Sequence, residues 1–371
     1  MAPCYWPEVR RGTERFTREL ADGLVAHGRR PTLVTSHPGR PSRTVEDGLR
    51  VIRLPRPPSG ALDRRLYEDH LTHLPLSAAA VLALRPTVAH ALYPTDGVAA
   101  GVWSRLTGRP SVLSYMGIPE ASWLERKHLR RRTLARAAAG CDAVVALSRT
   151  AAAEFRATLG VEARVIAPGV DLEAFSPGGQ RAPEPTIFCA ASILTPAKRV
   201  HELLAAFPAV RARHPRARLL LSRPADVAAA EALVAGAEGV ELVDVDDRAA
   251  LRDAYRAAWV SVLPSVGEAF GLVLVESMAC GTPVVGRRAG AIAEVVDRPS
   301  VGVLFDGGPD DLAGALEEAL ELAERAETPA ATRAHAEGFS TAACTGAYED
   351  LYEELEAARK ELDARGRNTD A

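Results

Sequence analysis

The chain has 371 residues, 47% of them hydrophobic and 25% charged, and a formal net charge of −3. This length suits two soluble domains of ~100–200 residues each, and the near-neutral charge excludes a general attraction to nucleic acid or acidic membranes. No apolar run approaches the ~20 residues of a membrane-spanning helix, and residues 1–10 do not resemble a secretion signal. The five cysteines lack metal-ligand spacing, which is typical of reduced thiols in a cytoplasmic protein.

The first half of the chain alternates short apolar runs with amphipathic segments of helical length. This alternation is typical of a parallel sheet with helices on both faces. The predicted strands are Thr32–Thr35, Arg50–Leu54, Val88–Leu92, Ser111–Ser114, Ala143–Ala146 and Arg164–Ile166, and the principal predicted helices are Thr13–His27, Leu62–Leu84 and Arg149–Leu159.

The second half repeats this plan after a linker. Residues 171–185 are rich in glycine and proline, which indicates a hinge. Two halves joined here predict an α/β fold of two Rossmann-like, doubly wound domains that face each other across a cleft, with ligands at the carboxyl ends of both sheets. The predicted strands are Thr186–Ala190, Ala217–Leu221, Val240–Val243, Trp259–Leu263, Pro283–Gly286 and Gly302–Leu304, and the long helices are Asp310–Ala323 and Thr341–Leu362.

The segment Leu263–Val285 carries the most specific signal in the chain. Glu268 and Glu276 lie on either side of a Phe-Gly-Leu turn, with a strand pattern before the turn and a helix pattern after it. The free N–H groups and the dipole of a helix that starts at such a turn favour an anion. Carboxylates repel phosphate, but they accept hydrogen bonds from hydroxyl groups. The combination predicts a ligand that carries phosphate between hydroxyl groups, as a nucleotide sugar does.

The same segment resembles the donor-site signature of the family-4 retaining glycosyltransferases of the GT-B fold. The resemblance implies an acceptor-binding domain at 1–172 and a nucleotide-sugar donor domain at 173–347. It also implies a last helix, at about 348–371, that crosses back to the first domain. The residues that match the signature are Pro264, Ser265, Glu268, Phe270, Gly271, Leu272, Glu276, Met278, Ala279, Gly281, Thr282 and Pro283.

The resemblance also implies roles for individual residues. Lys198 would bind the donor diphosphate as a compact cation, and Glu268 would lie beside the transferred sugar, so we predict catalytic roles for these two. Glu276 would accept hydrogen bonds from the ribose. The backbone near the sugar and phosphate would be that of Ala269, Phe270, Gly271 and Leu272.

Simpler interpretations of these charges stay open. Lys198 could be a solvated surface lysine, and Glu268 could be an acid that favours the helix dipole. The family usually has an arginine five residues before the lysine, where this chain has Ile193. Arg199 or Arg287 could supply that charge instead, or donor binding would be weaker.

Three residues of the first domain are further candidates. Gly12 precedes a predicted helix where the family usually has two glycines, which let the backbone approach a ligand; a plain turn with Thr13 as the helix cap is the alternative. His90 ends a predicted strand, and Met116 stands where the family often has a histidine near the reaction centre. A lone histidine at a strand end also has a structural interpretation.

The family usually has a short apolar strand ahead of this glycine turn. Here the chain starts almost at the turn. Either the first domain lacks that strand or the chain is read from too late a start. We expect the second, because loss of a central parallel strand exposes sheet edges.

Residues 126–132 form a basic helical segment. It could guide an anionic acceptor or contact the inner face of a membrane that carries a lipid-linked acceptor. A solvated helix face is the simpler account of the same charges. The acceptor could equally be a small molecule or a glycan, and nucleic acid is not an expected partner.

We therefore predict transfer of a sugar from a UDP- or GDP-type donor to an acceptor hydroxyl. The resemblance implies retention of the anomeric configuration and no metal or other cofactor. Lys198, the amides around Gly271 and the helix dipole would stabilise the charge of the leaving diphosphate. Two alternatives stay open: a GT-B sugar-nucleotide epimerase, and a nucleotide-sugar-binding homologue with weak catalysis, to which Ile193 and Met116 point.

Overall fold

A computed structural model describes residues 1–9, 12–57, 60 and 62–369. The chain forms two compact units, Met1–Gly169 with Thr341–Ala371 and Val170–Ser340. The boundaries drawn from the sequence, 172/173 and 347/348, lie a few residues later. Both units alternate parallel strands with helices, which confirms the predicted α/β class.

The described residues of the first unit contain seven strands and seven α-helices. The strands form two sheets, ordered β1-β3-β2 and β4-β5-β6-β7. The strands are β1 Thr32–His37, β2 Ser42–Glu46, β3 Leu49–Pro55, β4 Ala89–Ala91, β5 Ser111–Tyr115, β6 Ala143–Ala146 and β7 Arg164–Val165. The helices are α1 Gly12–Ala26, α2 His73–Leu84, α3 Pro94–Thr107, α4 Ala121–Leu124, α5 Arg130–Gly140, α6 Arg149–Leu159 and α14 Thr341–Thr369.

One predicted helix is shorter in the structure. The stretch Leu62–Leu84 consists of two 3-10 helices, Asp63–Arg65 and Asp69–Thr72, followed by α2. Pro75 lies in the first turn of α2, where the N–H group that proline lacks has no helical partner to lose. The proline therefore suits the start of a helix at this point and not its middle.

The helices α3 and α5 have no counterpart among the principal helices predicted. They pack closely through small residues: a Cβ at Gly97 would lie 2.8 Å from the Ala137 Cβ, and one at Gly101 would lie 2.7 Å from the Gly140 backbone. Glycine and alanine at these positions weaken the apolar periodicity that marks a helix in a sequence. The small residues that allow this close packing therefore leave no clear apolar periodicity from which α3 and α5 could be predicted.

The first two residues lie between the two sheets of the first unit. Ala2 N donates to Val34 O of β1, and Leu92 N donates to Met1 O, both at 3.0 Å. Met1 N also donates to His90 O of β4 at 2.5 Å. Met1 and Ala2 therefore occupy the position in which a strand between β1 and β4 would run, and this is the place of the expected first strand.

The second unit is one six-stranded parallel sheet with helices between its strands. The strand order is β10-β9-β8-β11-β12-β13, so successive strands are added on one side of β8 and then on the other. This order creates a switch point between β8 and β11, where open α/β sheets bind ligands. The strands are β8 Thr186–Cys189, β9 Arg218–Ser222, β10 Val240–Val243, β11 Val260–Leu263, β12 Val284–Arg287 and β13 Gly302–Phe305. The helices are α7 Val200–Arg213, α8 Val227–Val234, α9 Arg248–Ala257, α10 Leu272–Ala279, α11 Ile292–Val295, α12 Pro309–Glu324 and α13 Thr328–Glu337.

The last helix belongs to the first unit, as predicted. Tyr348 and Leu351 of α14 are buried in the same apolar cluster as Phe16 of α1. Ion pairs add to this contact, including Arg29 to Glu349 at 2.8 Å. Although α14 has 29 residues, it is strongly charged, and no helix among the described residues combines the length and apolar composition needed to cross a membrane.

Candidate active site

The switch point of the second sheet brings Lys198 and Glu268 together. Lys198 ends a 3-10 helix, Pro196–Lys198, that follows β8, and Glu268 lies in the loop after β11. Lys198 Nζ lies 2.5 Å from Glu268 Oε1, and the two side chains are 34% and 17% exposed. They form a polar centre at the carboxyl edge of the sheet that solvent can reach.

Backbone hydrogen bonds fix the Glu268 loop. Val266 N donates to Ala197 O at 3.0 Å, which joins this loop to the one that carries Lys198. On its other side, Ala291 N donates to Glu268 O at 3.1 Å. A Cβ at Gly290 would lie 2.9 Å from Glu268 O, and φ there is +57°, so this approach requires glycine.

A glycine turn after Glu268 starts α10. Gly271 caps the helix with a φ of 104°, a conformation that side chains disfavour. The N–H groups of Leu272 and Val273 precede the first hydrogen bond of the helix, from Leu274 N to Gly271 O, and suit an anion. Ala269 is half-buried, and the ring of Phe270 packs edge-on against Phe339 at 5.5 Å. Phe270 therefore offers its backbone to a ligand, and its ring stabilises the turn.

Glu276 lies deeper in α10 and is almost wholly buried, with 1% of its surface exposed. Tyr255 of α9 donates a hydrogen bond from its hydroxyl to Glu276 Oε2 at 3.1 Å. The Tyr255 ring is itself held by edge contacts with Phe175 and Phe188, at 6.1 and 5.2 Å. Sequence reasoning missed Tyr255, although it is the buried aromatic residue of an amphipathic helix.

Arg199 and Arg287, which could replace a cation at position 193, both form ion pairs with Glu202. Ile193 is buried, as its apolar side chain requires. Arg199 Nη1 donates to Glu202 Oε1 at 2.7 Å, and Arg287 Nη2 donates to Glu202 Oε2. Arg287 also donates to Pro264 O at 3.1 Å and Gly307 O at 2.9 Å. Its guanidinium is thus engaged in joining the ends of β11 and β13 to α7.

The described part of the chain contains no cluster of side chains suited to hold a metal ion. No three His, Cys, Asp or Glu side chains there are grouped so that they could hold a metal ion. The charges available in this site are those of Lys198, Glu268 and Glu276, together with the Glu202 cluster. The site therefore combines Lys198, the carboxylates of Glu268 and Glu276 and a helix N-terminus with the ion pairs that Glu202 forms with Arg199 and Arg287.

Comparisons with known proteins agree for both halves of the chain. Residues 10–174 match the family model described as Glycosyltransferase Family 4, and residues 184–322 match the model of Glycosyl transferases group 1. A D-inositol 3-phosphate glycosyltransferase from Nocardiopsis dassonvillei is 31% identical over 349 residues, covering 84% of this chain and 81% of the relative. The chain belongs to the family-4 glycosyltransferases. A second relative of the same description, from Corynebacterium jeikeium, is 32% identical over 53% of this chain and 52% of its own.

Solved structures identify the fold of this glycosyltransferase. Sucrose-phosphate synthase from Thermosynechococcus elongatus superposes with a TM-score of 0.79 at 24% identity, covering 94% of both chains. Anabaena HepE in complex with UDP gives a TM-score of 0.73 at 18% identity, covering 95% of this chain and 98% of that one. At these identities the likeness concerns the fold alone, and it confirms the predicted GT-B architecture.

The candidate residues in the first unit of the glycosyltransferase have varied surroundings. Gly12 is the first residue of α1 and is exposed; apart from its chain neighbours and its own helix, no described residue has an atom within 4 Å of the position that a Cβ would occupy. Met116 packs against the apolar cluster under α14. Sequence reasoning missed Glu14, which is fully buried and accepts a hydrogen bond from the Tyr93 hydroxyl at 2.7 Å. The signal available in the sequence was an acidic residue two positions after Gly12, in the first turn of the helix.

The prediction that His90 ends a strand is wrong, because His90 is the middle residue of β4 and lies against α14. Its Nδ1 lies 2.7 Å from the Tyr352 hydroxyl, and its Nε2 lies 2.8 Å from the Ser114 hydroxyl. Burial lowers the pKa of His90 from 6.5 to about 3, so the ring is neutral at physiological pH. Both ring nitrogens are engaged by protein groups, which supports the structural interpretation of this residue.

Proposed function

We propose that this glycosyltransferase moves a sugar from a UDP- or GDP-type nucleotide sugar to an acceptor hydroxyl, with retention of the anomeric configuration and without a metal or other cofactor. The observation that carries the proposal is the Lys198–Glu268 pair at the switch point, with Glu276 in the helix that follows. Anabaena HepE, which has the same fold, has also been solved in complex with UDP-glucose.

Lys198 would stabilise the leaving diphosphate. In the transfer, the bond from the anomeric carbon to the phosphate oxygen breaks and a bond to the acceptor oxygen forms on the same face. The acceptor proton passes to the departing phosphate oxygen. A cation and helix amides placed where this negative charge grows lower the barrier without reorganisation. On donor binding, Lys198 would exchange Glu268 for the diphosphate, which leaves the Glu268 carboxylate to accept hydrogen bonds from the sugar.

Glu276 would bind the ribose, and Tyr255 would position it. The hydroxyl of Tyr255 donates a hydrogen bond to Oε2 of the carboxylate. This bond would fix the orientation in which Glu276 accepts hydrogen bonds from the ribose hydroxyls. A buried carboxylate held in one orientation binds a diol at a smaller entropic cost than a free one. The acceptor would bind to the first unit. The inositol phosphate named for the relatives suggests a phosphorylated polyol, and a glycan or lipid-linked acceptor is compatible with the same chemistry.

Nucleotide binding tests the donor site. We expect UDP or GDP sugars to raise the unfolding temperature of the wild type, and Glu276→Ala to remove this effect. Tyr255→Phe should weaken ribonucleotide binding roughly 5–10-fold, the value of about one buried hydrogen bond. The control ligand is a 2′,3′-dideoxynucleotide, which lacks the ribose hydroxyls. Wild type and Tyr255→Phe should therefore bind it with equal affinity. Unchanged stabilisation of Glu276→Ala would contradict the assignment of the donor site.

Turnover separates the proposal from its alternatives. A transferase releases nucleoside diphosphate only when an acceptor is present, whereas an epimerase changes the nucleotide sugar without one. Binding without turnover on phosphorylated polyols, glycans or lipid acceptors would favour a binding homologue. Ile193, in place of a cation, is the observation that favours this second candidate.

A further inference from the structure

Two segments of the first unit, residues 62–68 and 121–132, form one surface, which we call the arginine–leucine patch. His128 N donates to Leu66 O at 2.7 Å, and the rings of Tyr67 and His128 lie 5.2 Å apart. Lys127 Nζ bonds to Asp63 at 2.5 Å. These contacts hold the 3-10 turn of the first segment against the junction of α4 and α5 in the second.

Large apolar side chains protrude from this patch. Leu66 is 55% exposed, Leu129 is 45% exposed and Trp123 is 39% exposed. Both leucines have a left-handed backbone conformation, with φ of 60° and 65°, which is unfavourable for a residue with a branched side chain. On a surface that contacts only water, a glycine or a polar residue would be more stable than leucine at either position. The backbone thus presents two apolar side chains to the outside at a cost in both strain and hydration.

Unneutralised arginines surround these side chains. The acids of the patch are already paired: Glu68 with Arg130 and Lys127, and Glu125 with Arg131. Four further arginines are exposed and form no ion pair with any residue that the structure describes. They are Arg64, Arg65, Arg126 and Arg132. The patch is therefore strongly basic, although the whole chain carries a net charge of −3.

We propose that the arginine–leucine patch docks the protein on a membrane surface that contains anionic lipids, at the cytoplasmic face. The two leucines and Trp123 enter the region between headgroups and acyl chains, and the arginines bind lipid phosphates. Local charge decides this contact, because salt screens charges farther away than ~10 Å. Docking requires no nucleotide, so it is independent of the proposed transfer, and it would bring the enzyme to acceptors held in the membrane.

Cosedimentation with vesicles tests the proposal. We expect the wild type to bind vesicles of phosphatidylcholine with phosphatidylglycerol at low salt, and not vesicles of phosphatidylcholine alone. The double substitution Leu66→Asn, Leu129→Asn should lower the partition coefficient by roughly tenfold or more. Asparagine tolerates the left-handed conformation, so the unfolding temperature of this variant should be equal or higher. Loss of binding would then not be a consequence of unfolding.

A second variant tests the charge. Arg126→Gln with Arg132→Gln should lower binding to the anionic vesicles by roughly tenfold at low salt. The matched controls are Leu106→Ser, an exposed leucine of α3, and Arg43→Gln, an exposed arginine of β2. Both should sediment like the wild type.

Three results would overturn the proposal. The first is that wild type stays unbound with anionic vesicles at low salt. The second is that the asparagine variant binds as the wild type does. The third is binding to a soluble polyanion such as heparin that equals vesicle binding and ignores the leucines, which would identify a polyanion surface instead. Nucleotide-induced stabilisation, measured on the same preparations, shows separately whether the donor site works.

Discussion

Each unit has a candidate polar residue in or just after a parallel strand, but the two residues have different surroundings. After β8, Lys198 remains partly exposed and meets Glu268 across the switch point. In β4, both ring nitrogens of His90 form hydrogen bonds, one with the Tyr352 hydroxyl of α14 and one with the Ser114 hydroxyl. A polar residue in or just after a strand therefore predicts a functional group only where no other element of the fold takes up its hydrogen bonds.

The largest expected effect in this comparison belongs to Lys198. Lys198→Ala removes the cation that would stabilise the leaving diphosphate, and we expect kcat to fall by roughly 10²–10³-fold. Steady-state kinetics with a donor that passes the binding test provide the measurement. Lys360→Ala, an exposed lysine of α14, is the control and should keep wild-type kcat. If both variants retained full activity, Lys198 would be the solvated surface lysine of the simpler interpretation.

A smaller effect, on stability alone, is expected at His90. His90→Ala leaves the hydroxyls of Tyr352 and Ser114 without this partner and opens a cavity, which costs roughly 2–4 kcal/mol. We expect a decrease in unfolding temperature of roughly 5–10 °C, with nucleotide affinity unchanged because the proposed donor site lies in the other unit. Tyr352→Phe, which removes one of the two hydrogen bonds, should lie between this variant and wild type. A loss of turnover without a loss of stability would instead assign His90 to the reaction.

The smallest expected effect is a pH dependence of stability. The pKa of His90 is lowered from 6.5 to about 3 by burial, so between these values the unfolded chain binds a proton that the folded chain does not. The stability contributed by the neutral ring is therefore lost as pH falls below 6.5. Between about pH 7 and pH 5, the unfolding temperature of His90→Gln should fall less than that of wild type, by roughly 3–6 °C. Parallel curves would exclude His90 as the titrating group.

Most strands and the strand–turn–helix segment Leu263–Val285 were predictable because their signals are local. The prediction Thr186–Ala190 corresponds to β8, Thr186–Cys189, and the prediction Trp259–Leu263 corresponds to β11, Val260–Leu263. Buried parallel strands are short apolar runs that need no knowledge of their neighbours. The exposed strand β2 gave no such run. Its hairpin with β3 is marked only by the Asp47-Gly48 turn, where both residues have positive φ.

Residues that depend on a distant partner were beyond prediction. Tyr255 acts on Glu276 from another helix, 21 positions away. Arg287 was a candidate replacement cation in the sequence, but in the structure it donates to Glu202 and to three backbone carbonyls. Neither relation follows a spacing rule, because each depends on how helices and strand ends pack.

The sequence by itself determined the α/β class, the two-domain plan and the local structure of one segment. A strand, a glycine turn and a helix with two carboxylates are encoded within Leu263–Val285, so neighbouring residues alone specify them. The tertiary structure decided which polar residues stay open to solvent. It paired Lys198 with Glu268, engaged His90 in hydrogen bonds against α14 and left Leu66 and Leu129 exposed, since exposure is a property of the packed chain and not of any one segment.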